Sequence, residues 1–257
     1  MKIATWNVNS AKARLSNILA WVDEAKPEVL CLQEIKCLDA DFPALELRSR
    51  GYHIETLGQR SYNGVALLAR APIGDVLRGL PGDDGDTQAR YLEGTVAGVR
   101  VASIYLPNGN PVGTDKYDYK LAWMRRLTAR ARDLLDSERA CVLAGDFNVA
   151  PTDDDVYDPL ACAKDAVVQP SARAEFRVLL NLGLVDAYRV FHAEPHKYTY
   201  WDHYGRKFLS DEGLRIDHLL LTPQAADRLA AADIDRAPRG RDNPSDHTPI
   251  WCELADA

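Results

Sequence analysis

The 257-residue sequence is short of cysteine: Cys31, Cys37, Cys141, Cys162 and Cys252 form an odd, scattered set of five with no Cys-x-x-Cys pair. This excludes a disulfide-stapled scaffold and a cysteine-zinc site, and fits the reducing conditions of a cytoplasm. Long apolar runs are missing too. The chain offers only pieces such as Val65-Ala66-Leu67-Leu68-Ala69, far below the roughly 18 residues of a membrane-spanning helix, so no membrane partner is expected. The opening MKIATWNVNS breaks its apolar run at Trp6-Asn7 and has no basic region leading into a long apolar segment; a signal peptide is not expected. Positive charge is in deficit, with 31 Lys and Arg against 38 Asp and Glu and a formal charge of -7. No global basic field would draw nucleic acid to such a surface, so a partner of that kind must be gripped locally. No fixed repeat, low-complexity block or Pro/Ser linker interrupts the chain. One domain over residues 1–257 is the expectation.

What is present is a globular composition, 46% hydrophobic and 27% charged, long enough to bury roughly three quarters of the surface of the unfolded chain. Short strand-like runs alternate with helical stretches and Gly/Pro turns, the pattern of a mixed α/β fold. Lys2 to Trp6 and Val29 to Gln33 read as buried strands around a helix that Asn9 or Ser10 could cap, with Leu15, Ile18, Leu19 and Val22 on its apolar face. Runs at Gly64–Arg70, Gly74–Leu80, Tyr91–Val96 and Arg100–Leu106 follow so closely that antiparallel pairing is predicted. A helix over Lys116–Leu135 precedes a strand at Cys141–Ala144. Then come a helix near Ala172–Leu182, strands near Leu184–Arg189 and Arg215–Leu221, a helix opened by Thr222-Pro223 and a last strand near Pro249–Glu253.

Acids and amides stand repeatedly at the ends of these apolar runs: Asn7, Glu34, Asp146 with Asn148, Asp217, and Asp246-His247. Strand ends are where a sheet scaffold presents a site. Singly, each could be a turn residue or a solvated terminus. Converging, the carboxylates would repel one another unless a cation sat among them, and oxygen and amide donors without cysteine favour magnesium or manganese over zinc. Asp217, inside Leu214-Arg215-Ile216-Asp217-His218-Leu219-Leu220-Leu221, needs a partner, because burying an unpaired carboxylate is costly. An imidazolium would offset that cost and suit a phosphoryl oxygen. His218 reads as a satisfied core histidine.

In chain order, Thr5-Trp6-Asn7-Val8-Asn9-Ser10 with Arg14-Leu15, Leu32-Gln33-Glu34-Ile35-Lys36, Asn63-Gly64-Val65-Ala66, Tyr105-Leu106-Pro107-Asn108-Gly109, Gly145-Asp146-Phe147-Asn148, Leu214-Arg215-Ile216-Asp217-His218 and Ser245-Asp246-His247 form an ordered set that covers essentially the whole chain. The set resembles the exonuclease III family of abasic-site endonucleases, within the endonuclease/exonuclease/phosphatase superfamily. The resemblance implies a four-layer α/β sandwich, two mixed β-sheets face to face flanked by helices, with the site at one end. It implies a metal-dependent hydrolase of base excision repair that cuts DNA 5′ to abasic sites, with 3′-to-5′ exonuclease and 3′-phosphatase activity. The expected partner is double-stranded DNA with abasic sites or blocked 3′ ends, met by a cytoplasmic monomer.

Carried over residue by residue, the resemblance makes Glu34 the principal Mg2+ ligand, with Mn2+ as substitute, and Asn7 and Asp246 complete the shell. Asp146 aligns and deprotonates the attacking water, Asn148 donates to the phosphate, and a metal is also associated with both. His247, held by Asp217, bears on the phosphate, and Tyr105 supplies a phenolic donor. Asn108 contacts substrate, and Tyr200, Trp201 and Leu214 are the pocket candidates. Two departures stand out: position 9 is Asn where some relatives carry Asp, and Tyr200-Trp201 replaces an aromatic pair that often begins with Trp. Lys36, Arg60, Lys116, Lys120, Arg206 and Arg215 are candidates for one basic face, giving DNA binding that falls steeply with salt. Asp83-Asp84, Asp153-Asp154-Asp155 and Asp233 would carry the excess acid elsewhere. Hydrolysis of a phosphorylated lipid head group, or a silent adaptor role, are the competing readings.

Overall fold

The computed structural model describes residues 1–256; Ala257, the last residue of the single domain expected from the sequence, lies outside it. The strand-forming runs become β1 (Lys2–Asn7), β2 (Val29–Gln33), β3 (His53–Leu57), β4 (Val65–Ala69), β5 (Ile73–Arg78), β6 (Tyr91–Val96), β7 (Val99–Tyr105), β8 (Cys141–Asp146), β9 (Val185–Asp186), β10 (Asp217–Leu221), β11 (Leu229–Ile234) and β12 (Ile250–Leu254). Between them lie α1 (Leu15–Ala25), α2 (Ala44–Arg48), α3 (Asp115–Asp136), α4 (Pro170–Asn181), α5 (Ala187–Phe191), α6 (Lys207–Ser210) and α7 (Pro223–Ala226). The strands form two six-stranded mixed sheets, ordered β11-β12-β1-β2-β4-β3 and β5-β6-β7-β8-β10-β9.

Each sheet has one parallel pair at its centre, β1 with β2 and β7 with β8, because only there does a helix, α1 or α3, supply the crossover that parallel pairing requires. Alternating side chains then bury both sheet faces. Ile3, Cys31, Leu67, Val101, Val142 and Leu219 fill the space between the sheets. Trp6, Leu30 and Leu32 meet Ile18, Trp21 and Val22 of α1 outside one sheet; Ile104 and Leu143 meet Trp123, Leu127 and Phe176 of α3 and α4 outside the other. No helix among the described residues is long and apolar enough to cross a membrane.

Several local expectations are corrected. Asn9 and Ser10 adopt φ of 45° and 91°, and Ser10 Oγ accepts from Ala13 N at 3.3 Å, so they shape the turn before α1 and cap no helix. Trp21 and Asn17 share the buried face of α1 with Ile18 and Val22, while Leu15 and Leu19 are half-buried. β4 does not pair with β5: the turn at Ala71-Pro72 carries the chain from one sheet to the other. The strand expected over Leu184–Arg189 shrinks to β9, because the Asp186 carboxylate accepts from Tyr188 N at 3.1 Å and starts α5. Half-exposed β3, α2 and alanine-rich β11 carried no clear periodic signal.

Candidate active site

The carboxyl ends of the two parallel pairs meet at one end of the sandwich. Asn7, the last residue of β1 and fully buried, donates through Nδ2 to Glu34 Oε1 beyond β2 at 2.8 Å and to Asp146 Oδ2 at the end of β8 at 3.0 Å. One amide thus ties together acids from both sheets. Sequence chemistry allows the close approach at β8: a Cβ on Gly145 would lie 2.0 Å from Ile104 O, so only glycine fits before Asp146. Glu34 and Asn148 leave their strands with φ of 50° and 47°, the left-handed region that costs a non-glycine residue free energy and recurs at functional sites.

Asp146 is 1% exposed. Its Oδ1 accepts from Asn148 N at 2.8 Å, and Oδ2 lies 3.7 Å from His247 Nε2. His247 Nδ1 lies 2.8 Å from Asp217 Oδ2, giving the buried aspartate the partner its position demands. Burial pulls the imidazole pKa down, but the Asp217 and Asp146 carboxylates outweigh it and raise it well above the ordinary histidine value. Burial also raises Asp146, and Asp217 adds repulsion, while His247 and the donors on Asn7 and Asn148 pull it back without restoring an ordinary carboxylate value. Tyr105 is raised as well, by burial and then by Glu34 and Asp146, so the phenol keeps its proton and remains a donor. The Arg90 guanidinium packs 4.8 Å from the centre of its ring.

A second layer of contacts forms the acidic rim. Glu34 Oε2 lies 2.8 Å from Lys36 Nζ, which donates to Asn9 Oδ1 at 2.5 Å. Asn9 Nδ2 donates to Asp246 Oδ1 at 3.1 Å. The asparagine at position 9 therefore links the two rim acids through a lysine, a relation that an aspartate there could not form with Asp246. Asn108 Nδ2 donates to Asn148 Oδ1 at 3.1 Å, and Asn148 Nδ2 to Leu106 O at 2.9 Å.

These groups line a cavity of about 160 Å³ bounded by Glu34, Tyr105, Asn108, Asp146, Asn148, Tyr200, Leu214, Asp246 and His247, with Asn7 and Asp217 behind it. Asp165, Val167 and Ile216 complete the wall; no motif points to the first two, and Ile216 reads as an ordinary strand residue. Tyr200 packs 4.9 Å from the His247 ring. Trp201 does not reach the cavity. Successive extended residues face opposite ways, and its fully buried indole instead donates to Asp211 Oδ1 at 3.0 Å. The basic face also loses members. Arg215 is 1% exposed and paired with Asp155 and Asp186, Lys120 is 0% exposed, and Lys36 is engaged by Glu34; Arg60, Lys116 and Arg206 remain exposed. The acidic run splits likewise, Asp153 and Asp154 facing solvent while Asp155 is buried.

Ligand atoms of Asp146, Asp217 and His247 lie within 4.8 Å of one another, a grouping that could hold a metal ion. Asp217 Oδ1 is buried without a hydrogen-bond partner. The rim of Glu34 and Asp246 offers a second, oxygen-only donor set on the same cavity. The oxygen-only rim fits a hard cation, whereas His247, protonated between Asp217 and Asp146, has no lone pair to offer one. Among known proteins, the model of the endonuclease/exonuclease/phosphatase family matches residues 4–247. The chain belongs to this family. An exodeoxyribonuclease III from Haemophilus influenzae is 31% identical, with 99% of this chain and 100% of the relative covered. Two solved structures superpose closely on this chain. An AP endonuclease from Archaeoglobus fulgidus has a TM-score of 0.95 at 34% identity, covering 99% of both chains. A 3′ phosphatase from Neisseria, bound to a product DNA hairpin, has a TM-score of 0.96 at 40% identity, covering 100% of both. The fold and family expected from the ordered motifs are those found.

Proposed function

We propose that this chain is a metal-dependent DNA phosphodiesterase of base excision repair, hydrolysing the backbone 5′ to abasic sites and acting on 3′ ends as an exonuclease and phosphatase. The observation that carries this reading is that one small cavity pairs a raised carboxyl, Asp146, with a cationic His247 3.7 Å away, on the same wall as the acidic rim. The relatives, a nuclease, an AP endonuclease and a 3′ phosphatase seen with DNA, supply the substrate class.

Phosphodiester hydrolysis needs an aligned water, fixed positive charge and a stabilised leaving oxygen, with no covalent intermediate required. Asp146, steered by Asn7 and Asn148, aligns the water and takes its proton; a carboxyl raised towards neutrality is well matched to that task. His247, kept cationic by Asp217, and the Tyr105 phenol donate to the phosphate oxygens, and the remaining amide hydrogen of Asn148 joins them. Glu34, Asp246 and Asn7 would hold the cation, and Asp146 and Asn148 would be a further place of association. When bound, magnesium, or manganese in its place, supplies Lewis-acid charge for the phosphate and the departing oxygen. Tyr200, Leu214 and Asn108 contact the substrate around the reacting phosphate. The chain is proposed to work in the cytoplasm as a monomer, with residues 1–257 as one domain.

The test is cleavage of three labelled duplexes, one with an abasic-site analogue, one intact and one with a 3′-phosphate end, each with magnesium and with chelator. Metal-dependent incision 5′ to the lesion, lost in Asp146→Asn, supports the reading and ranks the activities. A folded protein that cuts none of the three overturns it.

A further inference from the structure

Helix α3 places a lysine where its apolar stripe calls for a hydrophobic residue. Lys120 follows Tyr117 and precedes Met124 and Leu127 on the buried face, and is itself 0% exposed. Burying a cation away from water is costly unless its protons find partners. Among the described residues those partners are carbonyls: Nζ donates to Asn108 O at 3.0 Å and to Asn148 O at 2.5 Å. A leucine or methionine would fill the same space without the cost, so the function of Lys120 lies in those two bonds.

The two carbonyls belong to loops that leave different strands, β7 and β8, and carry neighbouring side chains of the cavity wall. Gly109 takes φ of +87°, which glycine allows, while Asn148 is held at φ of 47°, a sparsely populated conformation for a residue with a side chain. The lysine stem packs directly beneath Gly109, where a Cβ would fall 2.6 Å from Lys120 Cδ. Such conformations persist only when the surroundings over-determine them. Above the lysine, the Asn108 and Asn148 amides complete a closed arrangement by bonding to each other at 3.1 Å.

We propose that Lys120 is a positioning residue, which acts through the Asn108 and Asn148 carbonyls to fix the two amides against the reacting phosphate and in register with Asp146. This rests on the proposed contact of Asn108 and Asn148 with the phosphate. Lys120 does not reach the cavity, so it serves the rate of the chemical step and contributes little to holding DNA.

The experiment compares the parent with Lys120→Met and Lys120→Gln, measuring kcat, KM, magnesium-free DNA affinity and melting, and adds Asn108→Ala alone and in the Met background. Misplacing groups by about 1 Å costs on the order of 100-fold in rate, so kcat is expected to fall roughly 30- to 100-fold. KM and DNA affinity stay within about 3-fold, and Asn108→Ala slows the Met variant much less than the parent, because coupled residues are non-additive. A folded Lys120→Met variant with kcat within about 3-fold of the parent overturns the proposal, as does additivity of the two substitutions. If the Met variant fails to fold, the Gln variant decides; if neither folds, Lys120 is a folding determinant and the positioning role fails. A parent that cuts no duplex sinks the nuclease reading instead.

Discussion

Asp217 holds His247 through a 2.8 Å contact between Oδ2 and Nδ1, with both side chains buried. The two residues come from different sheets, β10 and the turn before β12, so the contact joins the layers as well as orienting the ring. It leaves Nε2 facing Asp146 and the cavity.

Replacing Asp217 with Asn keeps the shape and removes the charge. The imidazole loses its strongest support, while burial and the Asp146 carboxylate remain. Its pKa therefore falls towards or below the ordinary histidine value, and the imidazolium is lost as pH rises through neutrality. The expected outcome is kcat down by roughly 100-fold at pH 7.5, the scale of one lost charge-stabilising group, with the alkaline limb of the pH profile moved to lower pH. NMR titration of His247 checks the cause, and an unchanged pKa would contradict it.

Gly145→Ala tests the packing that brings Asp146 to the site. The added Cβ meets backbone, Ile104 O at 2.0 Å, where no side chain can swing away and the parallel pair β7–β8 would have to part. A destabilisation of about 3 kcal/mol or more is expected, at or beyond the upper range for overpacking. Urea unfolding measures it; a loss below about 1 kcal/mol would show that the strands part freely.

His218 predicts an acid-side loss of stability separate from the catalytic chain. It lies between Arg215 at 3.0 Å and Val149 O at 2.9 Å, and burial followed by the Arg215 charge pushes its pKa down to about 4. The unfolded chain therefore takes up this proton first. The contribution is complete above the unfolded value near 6.5 and is lost as pH falls from there towards 4, by roughly 3 kcal/mol in all. Asp155 and Asp186, both held below the ordinary carboxylate range by Arg215 against the effect of burial, add their own loss only in stronger acid. Urea unfolding at pH 7.5 and pH 4.5 is expected to show the parent losing roughly 3 kcal/mol relative to His218→Gln over this interval, since the raised Asp146 and His247, which act in the opposite sense, titrate alike in both.

The site was legible because polar residues interrupt apolar strands at their ends. Asn7, Glu34, Asp146 and Asp217 mark the places where the core stops and chemistry starts, and the chain order of the motifs supplied the rest. Arg215 and Lys120 were misplaced on the surface because long cations usually lie there. For Lys120 a corrective signal existed, since positions 117, 120, 124 and 127 form an i, i+3, i+7, i+10 stripe and the residue had to be buried. For Arg215 there was none: its partners Asp155 and Asp186 are 60 and 29 residues away. The same holds for Asp165 and Val167, which reach the cavity only through the fold of a loop. β11, with the sequence LAAADI, is strand by its pairing to β12 and not by propensity.

Tyr200 and Trp201 separate substrate contact from stability within one dipeptide. Tyr200 packs on His247 and lines the cavity, whereas Trp201 is 0% exposed, packs edge-on against Phe208 at 5.2 Å and donates to Asp211. Trp201→Ala leaves a large void, while Asp211 keeps its pairing with Arg236, so a destabilisation of about 3–5 kcal/mol is expected from the void. Catalysis in the fraction that remains folded should change little. Tyr200→Ala removes a half-buried ring from the cavity wall; it should lower stability by about 1 kcal/mol and reduce kcat/KM on an abasic duplex by at least about 10-fold. Paired melting and cleavage assays on the two variants decide the point. A Tyr200 variant that cuts like the parent, beside a stable Trp201 variant that does not, would reverse the assignment and place the indole at the substrate.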